Sequence, residues 1–456
     1  MDLGFETTGN ATLVCYDRGP VLVTDPWITG YAYFGSWGLS HEIPEAVIEG
    51  IRGSKYVWIS HGHPDHLSPR SLDLLHGKKI LLPDHAGGRI RDGLRERGFD
   101  VTVMTDRQWY PLSERIRVLC IADYNQDAIL LIDIGGKLIY DMNDADDHGW
   151  GPFVKQIIRK YDVSFHLQLT GFGDTDMINF WREDGTFITP RAARRRPVGA
   201  TISRLMRQWG TRYFVPFSSM HVYQRTDSAW ASVYKTNLPD YQVGFAPGRA
   251  ELLPAFIRYD AVNDRVEEMN PRENTAPPQD PKAFGDDWSE PLTDDDRKNL
   301  NYYFKSIEHL REFLDFVTLR VGGQEHVVEL ASQRFNRRIT FEAPRNSLMI
   351  SIENEIFDDM LIGNFMKATL HGSFPPRPLY PDFTPYVTKY ADNGLAKTSE
   401  QLREYFRHYR RQAPLDFVKH RIERRAVELA RSSLALDSPL YTDGARTYHW
   451  LKSLTA

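Results

Sequence analysis

Four side chains of types that bind metal ions lie within six positions of this 456-residue sequence. His61, His63, Asp65 and His66 form the pattern His-x-His-x-Asp-His directly after the apolar run 56–59. Residues two apart in extended backbone point the same way, so His61 and His63 are expected to bind one ion. Asp65 and His66, at the turn into the next helix, are expected to face a second. Imidazole and carboxylate suit Zn²⁺, Fe²⁺ or Mn²⁺, and two such ions activate water or dioxygen.

A dinuclear centre needs further ligands, including a carboxylate that bridges the two ions. Asp123, Asp144 and His221 each follow a predicted strand and are the candidates. For each one the structural alternative is a strand-end cap or a turn former. Neighbouring residues compete for the same roles: Asp141, Asp146, Asp147 and His148 beside Asp144, and Tyr124, Asn125 and Asp127 beside Asp123.

Bulk composition is that of a globular protein, with 41% hydrophobic and 26% charged residues. The net charge of −5 argues against nucleic-acid binding, and no apolar run approaches the roughly 20 residues that span a bilayer. No secretory signal is visible, so a cytoplasmic location is expected. Cys15 and Cys120 are isolated in β-like runs and are expected to be buried free thiols. They do not suffice for a cysteine-ligated iron–sulfur cluster, so any electrons must come from outside the chain.

Strands alternate with helices through the first half of the chain, and hairpins such as that at Gly135-Gly136 imply mixed sheets, so the fold class is α/β. We predict a catalytic domain at 1–268, a linker rich in Pro, Asp and Asn at 269–295, and an α+β accessory region at 296–456. Within the last region, 296–318 is predicted to be one long helix and 327–352 to hold several strands, with helix again over 401–433.

Substrate contacts are expected from a basic segment and from aromatic side chains. Arg194 and Arg195 lie in the run 191–196, and guanidinium forks match phosphate and carboxylate, although an exposed surface run is an equal alternative. Trp37, with other aromatics near it, is expected either to stack on a sugar or base or to pack in the core. Asp25, at a strand end, either hydrogen-bonds a ligand imidazole or caps the turn before Pro26.

The metal motif and the strand-end residues together resemble the metallo-β-lactamase fold. That resemblance implies an αββα sandwich of two mixed sheets, with helices outside and metals at one edge. The flanking segments are similar to the catalytic domain of CMP-N-acetylneuraminate hydroxylases, patchily from about residue 12 to about residue 370. The segments that carry this similarity are 24–30, Trp37, 41–44, 59–67, 215–217 and, more faintly, 357–363.

Two departures from those hydroxylases matter. The Rieske domain that they carry has no counterpart in this sequence, which implies an external reductase or ferredoxin. Asp123 stands where the superfamily usually has a histidine, and a carboxylate there favours iron over zinc. The same exchange resembles the diiron β-hydroxylases of antibiotic assembly lines, which is an analogy of fold.

Two enzyme hypotheses follow, besides a non-catalytic scaffold. In the first, a diiron oxygenase hydroxylates a polar, anionic or nucleotide-linked small molecule. His61, His63 and Asp123 then hold one iron, Asp65, His66 and His221 hold the other, and Asp144 bridges them. In the second, the same ligands hold two Zn²⁺ or Mn²⁺ ions, and a metal-bound hydroxide oriented by the catalytic Asp65 attacks a phosphodiester, lactone or amide. The sequence predicts no oligomeric state.

Overall fold

The computed structural model describes residues 1–173, 178–194, 197–246, 248–331, 334–375 and 377–433. Two mixed sheets lie face to face, and apolar side chains from both fill the space between them. Separate apolar clusters join the outer face of each sheet to helices. The architecture is therefore the αββα sandwich that the sequence predicts.

The first sheet has eight strands. The first five strands in spatial order pair antiparallel with their neighbours, and the fifth to the eighth pair in parallel, each with the next. In spatial order the strands are Arg265–Glu268, Ile257–Asp260, Leu3–Thr7, Leu13–Asp17, Pro20–Thr24, Tyr56–Trp58, Lys79–Leu82 and Asp100–Val103.

The second sheet has seven strands, of which the first four pair in parallel and the last four antiparallel. In spatial order they are Glu251–Leu252, Tyr213–Pro216, Ser164–Gln168, Lys137–Asn143, Ala128–Ile134, Ile116–Ala122 and Trp109–Pro111. A two-stranded ribbon pairs Trp37–Leu39 with His221–Tyr223. Ligand sites in such sheets form at the carboxyl ends of the parallel strands.

The layers are held by burial of both faces of each sheet. Every residue of Ala128–Ile134 is buried, because one face meets the other sheet and the opposite face meets the helix Gly151–Ile158. The aromatic ring of Phe165 joins the two sheets, at 5.0 Å from Phe5 and 4.6 Å from Tyr259 between ring centroids. The α-helices are Glu45–Gly53, Pro69–Leu72, Arg89–Glu96, Gly151–Ile158, Val198–Trp209, Asp294–Ser306, Arg345–Glu353, Phe357–Ile362, Thr384–Val387, Ser399–Gln412 and Pro414–Ser433.

The second half of the chain builds a five-stranded sheet with its own apolar core. The strands, in spatial order, are Asn179–Arg182, Lys367–Gly372, Arg337–Glu342, Phe316–Val321 and Gln324–Glu329. The first of these comes from within the segment predicted to be catalytic, so the two halves interleave. The segment predicted to be a linker is anchored as well, because Asp286 forms a buried ion pair with Arg225 at 2.6 Å. The boundaries at 268 and 295 stay a prediction.

The prediction of one helix over 296–318 is wrong in its second half. The helix ends at Ser306, and Phe316–Val321 is a strand whose alternate residues are buried. The β-branched side chains of this strand and the alternation of its buried residues favour a strand over a helix. The segment 327–352 holds parts of two strands and then the helix Arg345–Glu353. Among the described residues, no helix combines the length and apolar character that crossing a membrane requires.

Candidate metal centre

The predicted metal-binding side chains come from loops at one edge of the two sheets. The motif at 61–66 follows the strand Tyr56–Trp58, and Asp144 follows Lys137–Asn143. His221 comes after Tyr213–Pro216, across a loop in which Ser218 and Ser219 both have positive φ, at 69° and 48°. Such backbone is costly for residues other than glycine and is concentrated at functional sites.

A first group of potential ligands consists of His61, His66 and Asp144. One ligand atom from each lies within 4.8 Å of the others. The Nε2 atom of His66 is 3.3 Å from Oδ2 of Asp144 and 3.6 Å from Oδ2 of Asp65. This Nε2 is buried and makes no hydrogen bond with the described residues. A nitrogen aimed at two carboxylates in this way fits a metal ligand.

Asp25 fixes the orientation of His66. Its Oδ2 lies 2.9 Å from Nδ1 of His66, and both carboxylate oxygens accept hydrogen bonds of 2.7 Å from Ser60. A carboxylate on one imidazole nitrogen leaves the other facing the metal, the usual arrangement around histidine ligands. Both side chains are fully buried. The geometry favours this supporting role over a simple turn cap.

Asp65 and Asp144 are also held by hydrogen bonds. Tyr33 donates to Oδ1 of Asp65 at 2.6 Å, and Asn10 donates to Oδ2 at 3.1 Å. The hydroxyl of Ser218 donates to Oδ1 of Asp144. These partners fix both carboxylates at the edge of the sheets. No local sequence pattern marks Asn10 or Ser218, because their roles depend on tertiary contacts alone.

Burial and neighbouring charges shift the pKa values of the three residues of the first group in different directions. Burial alone lowers the pKa of His66, but the carboxylates of Asp65, Asp144 and Asp25 outweigh it and hold that pKa well above its ordinary value. Burial raises the pKa of Asp144, but the nearby His66 lowers it by more, so that this pKa lies below its ordinary value. Burial and the nearby His66 hold the pKa of His61 well below its ordinary value. His61 is therefore a neutral imidazole with a lone pair to donate.

A second group consists of His63, Asp358 and Asp359, again with ligand atoms within 4.8 Å of one another. His63 stands between the groups, because its Nδ1 is 2.9 Å from Nε2 of His61 and its Nε2 is 3.1 Å from Oδ2 of Asp358. The two aspartates lie in the helix Phe357–Ile362 of the second half of the chain. In the sequence, the segment 357–363 is marked only by its faint similarity to the hydroxylases.

Asp123 lies in neither ligand group. Its Oδ1 accepts a hydrogen bond of 2.7 Å from the backbone N–H of Asn125, and its Oδ2 lies 3.7 Å from Nδ1 of His148. Beside it, Lys389 bonds both carboxylate oxygens of Asp127 at 2.7 Å. The structure therefore differs from the predicted grouping of Asp123 with His61 and His63, because turn hydrogen bonds hold it with His148.

His221 is oriented as a ligand would be but does not join the first group. Its ring stacks on Trp37, and Nδ1 lies 3.1 Å from the carbonyl oxygen of Ser219. Nε2 is buried and makes no hydrogen bond with the described residues. Burial and the ammonium of Lys235 hold the pKa of His221 well below its ordinary value, so the imidazole is neutral. A fixed Nδ1–H and a free Nε2 suit metal binding.

The residues predicted to contact substrate lie in different environments, one buried and one exposed. Trp37 is 1% exposed and has one face against His221, so it supports a candidate ligand instead of presenting an open stacking surface. Arg194 is exposed at the end of the short helix Arg191–Arg194. Arg195 lies outside the described residues.

The donor set fits metal ions. Imidazole nitrogens of His66 and His221 are buried without hydrogen bonds, while the other nitrogen of each ring is held by a carboxylate or a carbonyl. Histidine and aspartate without cysteine suit iron, manganese or zinc. Cys15 and Cys120 are buried free thiols in the core between the sheets, as predicted.

The αββα sandwich, with candidate metal ligands in the loops that follow its strands, has the metallo-β-lactamase fold. No protein-family model matches the chain. The chain is 29% identical over 133 residues to the cytidine monophosphate-N-acetylneuraminic acid hydroxylase of Danio rerio, covering 27% of this chain and 22% of that protein. It is 22% identical over 281 residues to the inactive hydroxylase of that name from Homo sapiens, covering 59% of this chain and 56% of the relative.

These alignments confirm the resemblance to the hydroxylases that the motifs predict, and they span less than two thirds of either relative. Among solved structures, the chain is similar to CmlA, a diiron beta-hydroxylase from Streptomyces venezuelae. The match has a TM-score of 0.33 and 16% identity, and it covers 48% of this chain and 45% of that one.

Proposed function

We propose that this protein is a dinuclear-metal oxygenase that hydroxylates a polar, anionic small molecule with dioxygen. The donor set is the observation that carries the proposal. Carboxylates of Asp65 and Asp144 converge on the free nitrogen of His66, and hard oxygen donors mixed with imidazole favour iron. The sequence similarity to the hydroxylases supports the same reaction class.

In the proposed reaction one atom of dioxygen enters a C–H bond of the substrate and the other leaves as water. Two electrons come from a separate reductase or ferredoxin, and two protons come from solvent. Bound iron would supply the redox chemistry that dioxygen requires. The protein's part is to hold the ligands rigidly: Asp25 orients His66, Ser218 orients Asp144, and the Tyr33–Asn10 pair orients Asp65.

Lys235 supports an anionic substrate. Its ammonium is partly buried and donates a hydrogen bond to the carbonyl oxygen of His221, one of the proposed ligands. Burial lowers its pKa, and Glu273 is a negative neighbour that acts in the opposite direction without forming an ion pair with it. A positive charge held beside the centre in this way attracts a carboxylate or phosphate group. The exposed Arg194 is proposed as a second, outer contact.

The test uses the anaerobically purified chain loaded with Fe²⁺, a chemical reductant and labelled ¹⁸O₂. A nucleotide-linked sugar acid, cytidine monophosphate-N-acetylneuraminic acid, is the first substrate to try, followed by other anionic sugars. A product heavier by one labelled oxygen is the expected result, with repeated turnover in the presence of reductant and at most one turnover per chain, supplied by the two Fe²⁺ ions, in its absence. Turnover that needs no dioxygen would contradict the oxygenase.

The alternative is a metal-dependent hydrolase, and the fixed Asp65 favours it. Its two carboxylate oxygens are held by Tyr33 and Asn10 while it remains 3.6 Å from Nε2 of His66, a placement that suits orienting a water molecule. Bound zinc would supply the Lewis acidity. Cleavage of a phosphodiester, lactone or amide by the zinc-loaded chain under anaerobic conditions would favour this function.

A further inference from the structure

The second half of the chain reaches into the metal motif through one short helix. Phe357–Ile362 is buried along its whole length, and its apolar residues Phe357, Met360 and Leu361 belong to the core of that half. This packing fixes the helix and places Asp358 with Oδ2 3.1 Å from Nε2 of His63. The contact joins residues 295 positions apart in the sequence.

Asp359 is the more informative of the two aspartates. It is 6% exposed, and its carboxylate forms no hydrogen bond or ion pair with any described residue. A buried carboxylate without a partner is strongly unfavourable unless a cation or a proton compensates it. Its ligand oxygen nevertheless lies within 4.8 Å of ligand atoms of both Asp358 and His63.

The charged side chains around Asp359 are mostly negative. Asp358, Asp392 and Asp65 all act on Asp359 as negative neighbours, and Arg89 is the positive one. Arg89 is already engaged, because its guanidinium bonds Asp392 and the carbonyl oxygen of Asn354. Arg89 therefore forms no ion pair with Asp358 or Asp359.

We propose that a second divalent cation binds His63, Asp358 and Asp359, so that the second half of the chain supplies two ligands of the dinuclear centre. This inference rests on the proposed function and names the second metal position within it. Three donors of the types that iron and manganese prefer converge there, one of them buried and without a partner. Asp123, predicted as the carboxylate beside His63, stays with His148.

The experiment counts metal ions in the full chain. Metal-free protein is loaded anaerobically with Fe²⁺, desalted and analysed for bound iron. The wild type is expected to retain two ions and the double variant Asp358→Asn/Asp359→Asn one. Glu353→Gln, which neutralises an exposed acid of the preceding helix, is the matched control and should retain two. A double variant that also retains two ions would overturn the proposal.

Thermal unfolding gives a second readout and checks that the variant folds. Without metal, the double variant should melt at the same temperature as the wild type or higher, because neutral amides remove the repulsion between two buried carboxylates. Fe²⁺ should raise the melting temperature of the wild type more than that of the variant. Equal shifts would contradict a metal at this position. A wild type that binds a single ion, lost in His66→Ala, would overturn the dinuclear function itself.

Discussion

The carboxylate of Asp25 lies 2.9 Å from Nδ1 of His66, and both side chains are fully buried. The substitution Asp25→Asn should lower metal affinity by about 10–100-fold, because the ring loses the charged acceptor that fixes its tautomer and orientation. Competition with a chelator of known affinity measures the change. Asp17→Asn, which breaks a partly exposed ion pair with Arg115 away from the centre, should leave the affinity unchanged. Equal affinities for Asp25→Asn and wild type would show that Asp25 is only a turn cap.

Trp37 and His221 form a parallel stack with ring centroids 3.5 Å apart and planes 2° apart. We expect Trp37→Phe to loosen the imidazole and to lower metal affinity several-fold. Trp209→Phe, at a buried tryptophan behind the second sheet, should reduce stability without changing affinity. The same chelator titration compares the two variants. Wild-type affinity in Trp37→Phe would contradict the role of Trp37 in holding the His221 ring.

Metal binding should strengthen as pH rises through the neutral range. The carboxylates around His66 hold its pKa well above the ordinary value, so the metal-free protein carries a proton on that ring. A metal ion must displace this proton, and the displacement costs less at higher pH. Calorimetry in buffers of different ionisation enthalpy should detect proton release on binding. Binding that is independent of pH and releases no proton would contradict the role of His66.

Lys235 should govern substrate affinity more than the rate of turnover. We expect Lys235→Met to raise KM about tenfold or more for an anionic substrate with kcat little changed, because the ammonium contributes binding that is equal in the ground and transition states. Lys160→Met, at an exposed position after the helix Gly151–Ile158, is the control with unchanged KM. An unchanged KM in Lys235→Met would remove this residue from the substrate site.

Local sequence patterns identify those candidate metal ligands that belong to a single loop or to the end of a single strand. The motif at 61–66 and Asp144 meet because each follows a strand of a parallel pair, and the carboxyl ends of such strands share an edge. Strands such as Ile116–Ala122 and Ala128–Ile134 were predictable from continuous apolar runs.

The rest depends on tertiary contacts that no local pattern encodes. Asp358 and Asp359 reach His63 only because a distant core fixes their helix. Asp123 satisfies the same strand-end rule as Asp144, yet its turn hydrogen bonds hold it beside His148. For Trp37 the sequence left a pocket wall and a core position open, and the stack on His221 decides between them.

Imidazole and carboxylate groups from distant segments are proposed to bind a pair of metal ions. Anaerobic titration of the metal-free full chain with Fe²⁺, followed by absorption spectroscopy and metal counting, determines whether they do. We predict two bound ions per chain in the wild type and loss of at least one in His66→Ala, with the visible bands of an oxygen-bridged iron pair after exposure to air. A wild-type chain that binds no iron, or a His66→Ala variant that binds as much as the wild type, would rule out the dinuclear centre.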